Sequence, residues 1–228
     1  MDQTTYQIKG FPIIKFQSKE RLESLQQGLI YANKLKYYRD LEERTGDATI
    51  GDSFDGLFHV NEGMIKLIET GEEMALNDHL IETSASNDYV FCMFGIPDQT
   101  EHFQFSDEQR THMKSFGDSA LIILDSNEFI DRVNEAAKIQ GYTTLFGKVN
   151  YIDTSNDYAN VFLSMQEDIR HVALWKRIMY EYQKECRFIF SPGKANVDHL
   201  ELQIGDISDI SVIVPAESAL TAVVNKCL

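Results

Sequence analysis

The sequence predicts an α+β fold, a single domain with a mixed, mostly antiparallel sheet and flanking helices. Three observations carry this. Short apolar runs of strand length alternate irregularly with amphipathic stretches of helical spacing, without strict β-α-β succession. No internal repeat or low-complexity linker divides the chain, so one domain over residues 1–228 is expected, with an acidic β-rich segment at 45–109. The composition, 43% hydrophobic and 25% charged with four prolines, suits a packed core and excludes collagen, coiled coil and wholesale disorder.

In order, Phe11 to Phe16 reads as a strand, and Ser18 as the N-cap of a short helix with Leu22 and Leu25 inward. Gly28 falls where a left-handed C-terminal cap is expected. A second strand runs Leu29 to Ala32, and Asn33 is the expected cap of a helix carrying Leu35, Tyr38 and Leu41 up to Gly46. A Gly- and Asp-rich loop follows to Gly56; Gly51 and the absence of a twelfth-position Glu exclude an EF-hand there. Met64 to Glu69 and Met74 to Leu80 flank a hairpin turn, and Tyr89 to Ile96, closed by Pro97-Asp98, is the strongest buried-strand signal of this half.

Ser106 caps a helix reaching about Phe116. Ala120 to Leu124 is an aliphatic strand, and Ser126 is the expected cap of a helix ending at Gly141. Residues 142–153 read as strand, 157 to about 180 as helical, and Arg187 to Phe190 as a strand stopped by Ser191-Pro192-Gly193. A last strand, Ser211 to Val214, precedes a helix after Pro215.

Cys92, Cys186 and Cys227 are odd in number and dispersed, and the six histidines form no H-x-x-x-H pair, so neither a disulfide framework nor a metal site is expected. No apolar run reaches the ~20 residues of a membrane helix, and Met1-Asp2-Gln3-Thr4 does not begin a signal peptide, which leads to the expectation of a cytoplasmic protein without membrane contact. The net charge of −15 argues against uniform coating of nucleic acid.

That charge is concentrated. Residues 45–109 hold fourteen acids against the single base Lys66, a net of −13, whereas 9–44 and 170–187 are each +3. The acidic middle either solvates a β-rich surface or meets a basic, nucleic-acid-handling protein.

The chemistry-bearing stretch runs from Leu174 to Phe190 and holds the only tryptophan, Trp175. In an extended segment Gln183, Glu185 and Arg187 share one face, which is costly to bury unless the groups pair or line a cleft. One reading is an internal ion pair of Glu185 with Arg187 or Arg39. The other is a cleft for an anionic nucleotide-type ligand. There Glu185 acts on the ribose, Gln183 orients the acceptor, Arg39, Lys176 and Arg187 hold phosphate, and Tyr31, Tyr38 and Trp175 give the aromatic face.

The opening strand-helix-Gly28-strand pattern, then Lys36-Tyr37-Tyr38-Arg39-Asp40-Leu41-Glu42, Gly46-Asp47 and Ile50-Gly51-Asp52-x-x-Asp55-Gly56, together with Tyr180-x-Tyr182-Gln183-x-Glu185-x-Arg187-Phe188, resembles uncharacterised bacterial and phage proteins related to the abortive-infection AbiGi type. That resemblance implies a part in phage–host conflict. Gln183-x-Glu185 at the head of a strand also resembles the Gln/Glu-x-Glu pair of ADP-ribosyltransferases, which implies NAD as the cofactor-like substrate and Glu185 as the residue stabilising an oxocarbenium-like ribose centre. The first strand, Lys15-Phe16-Gln17-Ser18, has no His or Arg of that family's kind, and no Ser-Thr-Ser triplet follows. The competing expectation is a non-catalytic acidic inhibitor or antitoxin bound to a basic protein; a virion component, which would form a high-order symmetric oligomer, is the third.

Overall fold

The computed structural model describes residues 7–46, 51–66, 69–96, 102–153, 158–192 and 197–225. The readings of Met1 to Thr4, Pro97-Asp98, Gly193 and Cys227, and the acids Asp47 and Glu101, lie outside them.

The elements are, in chain order, β1 (Ile13–Gln17), α1 (Lys19–Gln26), β2 (Leu29–Lys34), α2 (Leu35–Thr45), β3 (Leu57–Lys66), β4 (Glu73–Glu82), β5 (Tyr89–Gly95), β6 (His102–Gln104), α3 (Asp107–Met113), β7 (Ser119–Ile123), α4 (Ser126–Ile139), β8 (Tyr142–Lys148), β9 (Asn150–Ile152), α5 (Tyr158–Glu167), β10 (Trp175–Arg177), β11 (Glu185–Pro192), β12 (His199–Gln203), β13 (Ser211–Pro215), α6 (Ala216–Thr221) and β14 (Val223–Asn225). Helices and a mostly antiparallel sheet together make this an α+β protein. The chain gathers into two compact units, the first of residues 1–33, 89–148 and 182–228, the second of 34–88 and 149–181.

The first unit is built on an eight-stranded sheet ordered β12-β2-β5-β1-β7-β13, with β11 pairing both β5 and β8. Strand alternation gives the sheet two apolar faces. Leu22 and Leu25 of α1 and Phe129, Val133 and Ala137 of α4 pack with Ile13, Leu121, Phe188 and Phe190. Met113 of α3 and Leu220 of α6 pack with Ile14, Phe16, Phe94 and Ala120. Covered on both faces, β11 reads as a nearly continuous apolar run from Cys186 to Phe190, and Arg187, only 1% exposed, is the exception within it. Gly28 adopts φ +100°, which favours glycine, and a Cβ there would also run into the backbone of Gly205.

The second unit has a smaller core of Phe58, Val60, Ala85, Val161 and Val172, joined by half-buried Ile81, Ile152 and Trp175. It contains the antiparallel hairpin β3–β4 and the parallel pair β9–β10.

Three local expectations are corrected. Asn33 lies within β2 rather than capping α2; Lys34, the last residue of β2, is the cap, and the first amide of the helix, Leu35 N–H, donates to the Asp88 carbonyl. Ser126 does not cap α4. Asp125 does, accepting from Glu128 N–H, while the buried Ser126 hydroxyl accepts from Phe11 N–H and donates to the Lys9 carbonyl, tying down the amino-terminal segment. The helical reading of 157–180 holds only to Glu167: a 3₁₀ turn follows, then Trp175–Arg177 is drawn into a strand because it pairs with Asn150–Ile152. Ser106, by contrast, forms a full capping box with Gln109. Among the described residues no helix is long and apolar enough to cross a membrane.

Candidate functional site

Tyr31, Gln183, Glu185 and Arg187 fall in the first unit, and Tyr38, Arg39, Trp175 and Lys176 in the second. Each group has its own setting.

In the first unit, β1 pairs with β5 at Ile13–Gly95 and Ile14–Phe94. Beyond that register the Lys15 ammonium donates to the Cys92 carbonyl (2.6 Å) and lies 4.9 Å above the Phe91 ring. On the opposite flank of β5, β11 sets Glu185 against Phe94 and Arg187 against Cys92. Glu185 and Arg187 share a strand face, and Arg187 Nε donates to Glu185 Oε2 at 2.6 Å. Gln183 is not on that face. It ends a 3₁₀ turn, and Lys184, at φ +42°, breaks the extended alternation between it and Glu185.

The chain turn nevertheless returns Gln183 to the same place. Lys15, Cys92, Gln183 and Glu185 line one pocket of about 70 Å³, walled by Phe16, Phe94 and Phe116. Gln183 is 4% exposed and donates to the Tyr182 hydroxyl, while Tyr182 stacks on His112 with ring centres 4.3 Å apart. Burial lowers the Lys15 ammonium below the usual lysine range, opposed by the neighbouring Cys92 and Glu185. Burial likewise pushes the Cys186 thiol upward, which makes it a poor nucleophile. Tyr31 stands elsewhere on the sheet, exposed on β2 and stacked on His199 of β12 with ring centres 4.7 Å apart.

In the second unit the cations are committed to internal partners. Arg39 donates to the Ser86 hydroxyl (2.8 Å), the Asp55 carbonyl (3.3 Å) and Glu82 Oε1 (2.6 Å). Lys176, 4% exposed, sits 4.5 Å over the Tyr180 ring. Arg177, which the sequence reading did not single out, is the hub. Its Nε donates to Asp52 Oδ1 (2.8 Å), its Nη2 to Glu42 (3.3 Å) and the Tyr180 hydroxyl (3.1 Å), and its guanidinium covers the Phe54 ring at 4.6 Å. Asp52 is fully buried and its Oδ2 has no hydrogen-bond partner among the described residues. Burial, then the neighbouring Asp55, raises its carboxyl above the usual aspartate range. Trp175 donates to the Ser164 hydroxyl (2.9 Å) beside a cavity of about 30 Å³. Tyr38 is half-buried, edge-on to Tyr37.

Arg39, Lys176 and Arg187 are each buried and engaged within their own unit. The cation that lines the pocket together with Glu185 is Lys15, and its sequence signal is a lone charge inside the apolar strand Ile13-Ile14-Lys15-Phe16. Among the described residues no group of three or more His, Cys, Asp or Glu side chains is placed to hold a metal ion.

No family model, curated protein or solved structure matches the chain. The chemistry of the pocket is left to its own side chains.

Proposed function

We propose that the first unit binds one end of a nucleotide-type ligand, with NAD the leading candidate, as an ADP-ribosyltransferase-like protein of phage–host conflict. The single observation behind this reading is the convergence of Lys15, Gln183 and Glu185 on one aromatic-walled pocket. At about 70 Å³ the pocket is well below the roughly 300 Å³ of sites that enclose a whole small molecule. It would take one ring or one sugar, with the rest of the ligand outside.

Each group has a distinct part. The phenylalanine walls receive the flat face of a ring. Arg187 holds the Glu185 carboxylate in one orientation, so that its charge faces a ribose carbon on which positive charge develops. Gln183 offers an amide to the ligand's polar edge. Lys15 supplies the positive charge for an anionic group at the mouth, and its cost of burial is relieved when that group arrives. Arg187 is in this reading a positioning residue.

Thermal shift and calorimetry with NAD, nicotinamide, ADP-ribose and AMP test the reading. Binding of at least one, lost when the pocket is filled by Phe116→Trp and weakened by Lys15→Gln, is the expected result. Glu185→Gln should abolish turnover of NAD with the ligand still bound. Saturable binding that ignores Phe116→Trp, or no binding by any of the four, overturns it.

A further inference from the structure

The hairpin β3–β4 is anchored at one end only. Phe58 and Val60 are buried in the core of the second unit, yet from Glu62 onward the described side chains are exposed: Glu62, Gly63, Met64 and Lys66 on β3, and Glu73, Ala75, His79 and Leu80 on β4. Successive residues of a strand point to opposite faces. The exposed consecutive residues Glu62 to Met64 therefore mean that both faces of the ribbon are open at the described positions. From Val60 to Lys66 the ribbon extends about 20 Å at ~3.3 Å per residue. The two strands form a sheet of their own, so each has an outer edge unpaired in the sheet.

A two-stranded ribbon in water is marginally stable, and unpaired edges invite pairing with another chain. Met64 is 67% and Leu80 45% exposed, one on each face. Between Glu62 and Glu82 the sequence has six acids and the single base Lys66. That sign selects the occupant. The equally acidic arm of a second copy is repelled, as are nucleic acid and an anionic lipid surface. A basic extended segment with apolar side chains at alternate positions satisfies the open edge, the bare faces and the charge together.

We infer that the β3–β4 arm docks an extended, basic segment of a partner protein, which adds to it as a further strand. The arm and the pocket of the first unit share no residue, and neither proposal rests on the other.

The test uses the full chain and a fluorescent peptide of alternating lysine and valine, about ten residues long to match a strand. Anisotropy should show saturable binding that weakens as salt rises. The triple reversal E69K/E72K/E73K should weaken it about tenfold or more, since it inverts three of the six acids between Glu62 and Glu82. The control reversal E20K/E23K/E135K, at exposed positions of α1 and α4, changes net charge equally and should shift affinity by no more than about twofold. Circular dichroism checks that both variants remain folded. A peptide of the same composition with proline at alternate valines lacks the amides that a ladder needs and should bind about tenfold more weakly.

Equal binding of the proline peptide, or equal loss in both reversal variants, would reduce the effect to diffuse charge attraction and overturn the inference. So would dimers in sedimentation that the arm reversal dissolves, which assign the arm to a second copy, or binding to anionic vesicles.

Discussion

The two units bury charge in opposite ways. In the first, Arg187 and Glu185 pair within a sheet covered on both faces, and Lys15 finds a carbonyl, but space is left where Glu185, Gln183 and Lys15 meet. In the second, Arg177 is engaged by Asp52, Glu42, Tyr180 and Phe54, Arg39 by three oxygens, and the neighbouring cavity shrinks to about 30 Å³. Similar residues thus line a pocket in one place and form a clamp in the other. Ionic side chains are left beside open space where packing leaves room, and become structure where their charges are met by internal partners.

The largest expected effect breaks the clamp. Arg177→Ala removes the partner of a fully buried aspartate and should cost about 3–5 kcal/mol, the typical loss for half of a buried pair, measured by denaturant unfolding. A loss under about 1 kcal/mol would mean that the network is as weak as a surface pair.

Next comes Gly28→Ala in the first unit. Positive φ and collision with the Gly205 backbone combine, so a loss of about 2 kcal/mol or more is expected from strain and steric repair. A neutral result would show that the β2 entry can shift.

Glu185→Gln sharpens the contrast. It leaves Arg187 with an amide in place of a carboxylate, and a loss of about 1–3 kcal/mol is expected from a weakened charged hydrogen bond. In the second unit the conservative Glu82→Gln, at the exposed end of the Arg39 pair, should cost only about 0.5 kcal/mol.

The smallest effect is one of pH. The folded-state carboxyl of Asp52 is raised, first by burial and then by Asp55, so the folded chain holds this proton more tightly than the unfolded chain. Its contribution is fully present below the ordinary aspartate value of about 3.9 and is lost as pH rises through the raised value. Glu82, whose carboxyl is lowered first by its hydrogen bond to Arg39, and Asp168, lowered first by its bond to Arg170, act in the opposite sense; their stabilisation is lost as pH falls through their lowered values. Chemical denaturation from pH 4 to 7 should therefore give a curve whose difference between wild type and Asp52→Asn isolates the Asp52 window. Parallel curves would mean that Asp52 is ionised throughout.

Much of the fold was legible because local rules and packing agreed. Ser106 with Gln109, Gly28, Gly46 and the run Tyr89 to Ile96 each carry a strong signal that the tertiary structure had no reason to override. Trp175 to Arg177 was not legible, since three residues of helical pattern become strand through pairing with β9, more than twenty residues earlier in the chain. Ser126 misled for a similar reason: it is the right residue type for a cap, but its hydroxyl is held by Phe11 and Lys9 far away in sequence.

In the candidate site, Glu185 and Arg187 could be found from their spacing, and their pair was one of the two outcomes that spacing allows, whereas Gln183 reaches the pocket through the turn at Lys184 and not through strand alternation. Whether a pocket stood beside the pair could not be read from it. The sequence alone determined the α+β class, the acidic middle and the shared face of Glu185 and Arg187 at the head of a strand, because composition and alternation are local properties. Only the tertiary structure decided that Lys15 joins Glu185, that Arg39, Lys176 and Arg187 turn inward, and that β3–β4 projects beyond its core. These depend on which strands become neighbours, and long-range pairing is set by the burial of the whole chain rather than by any segment within it.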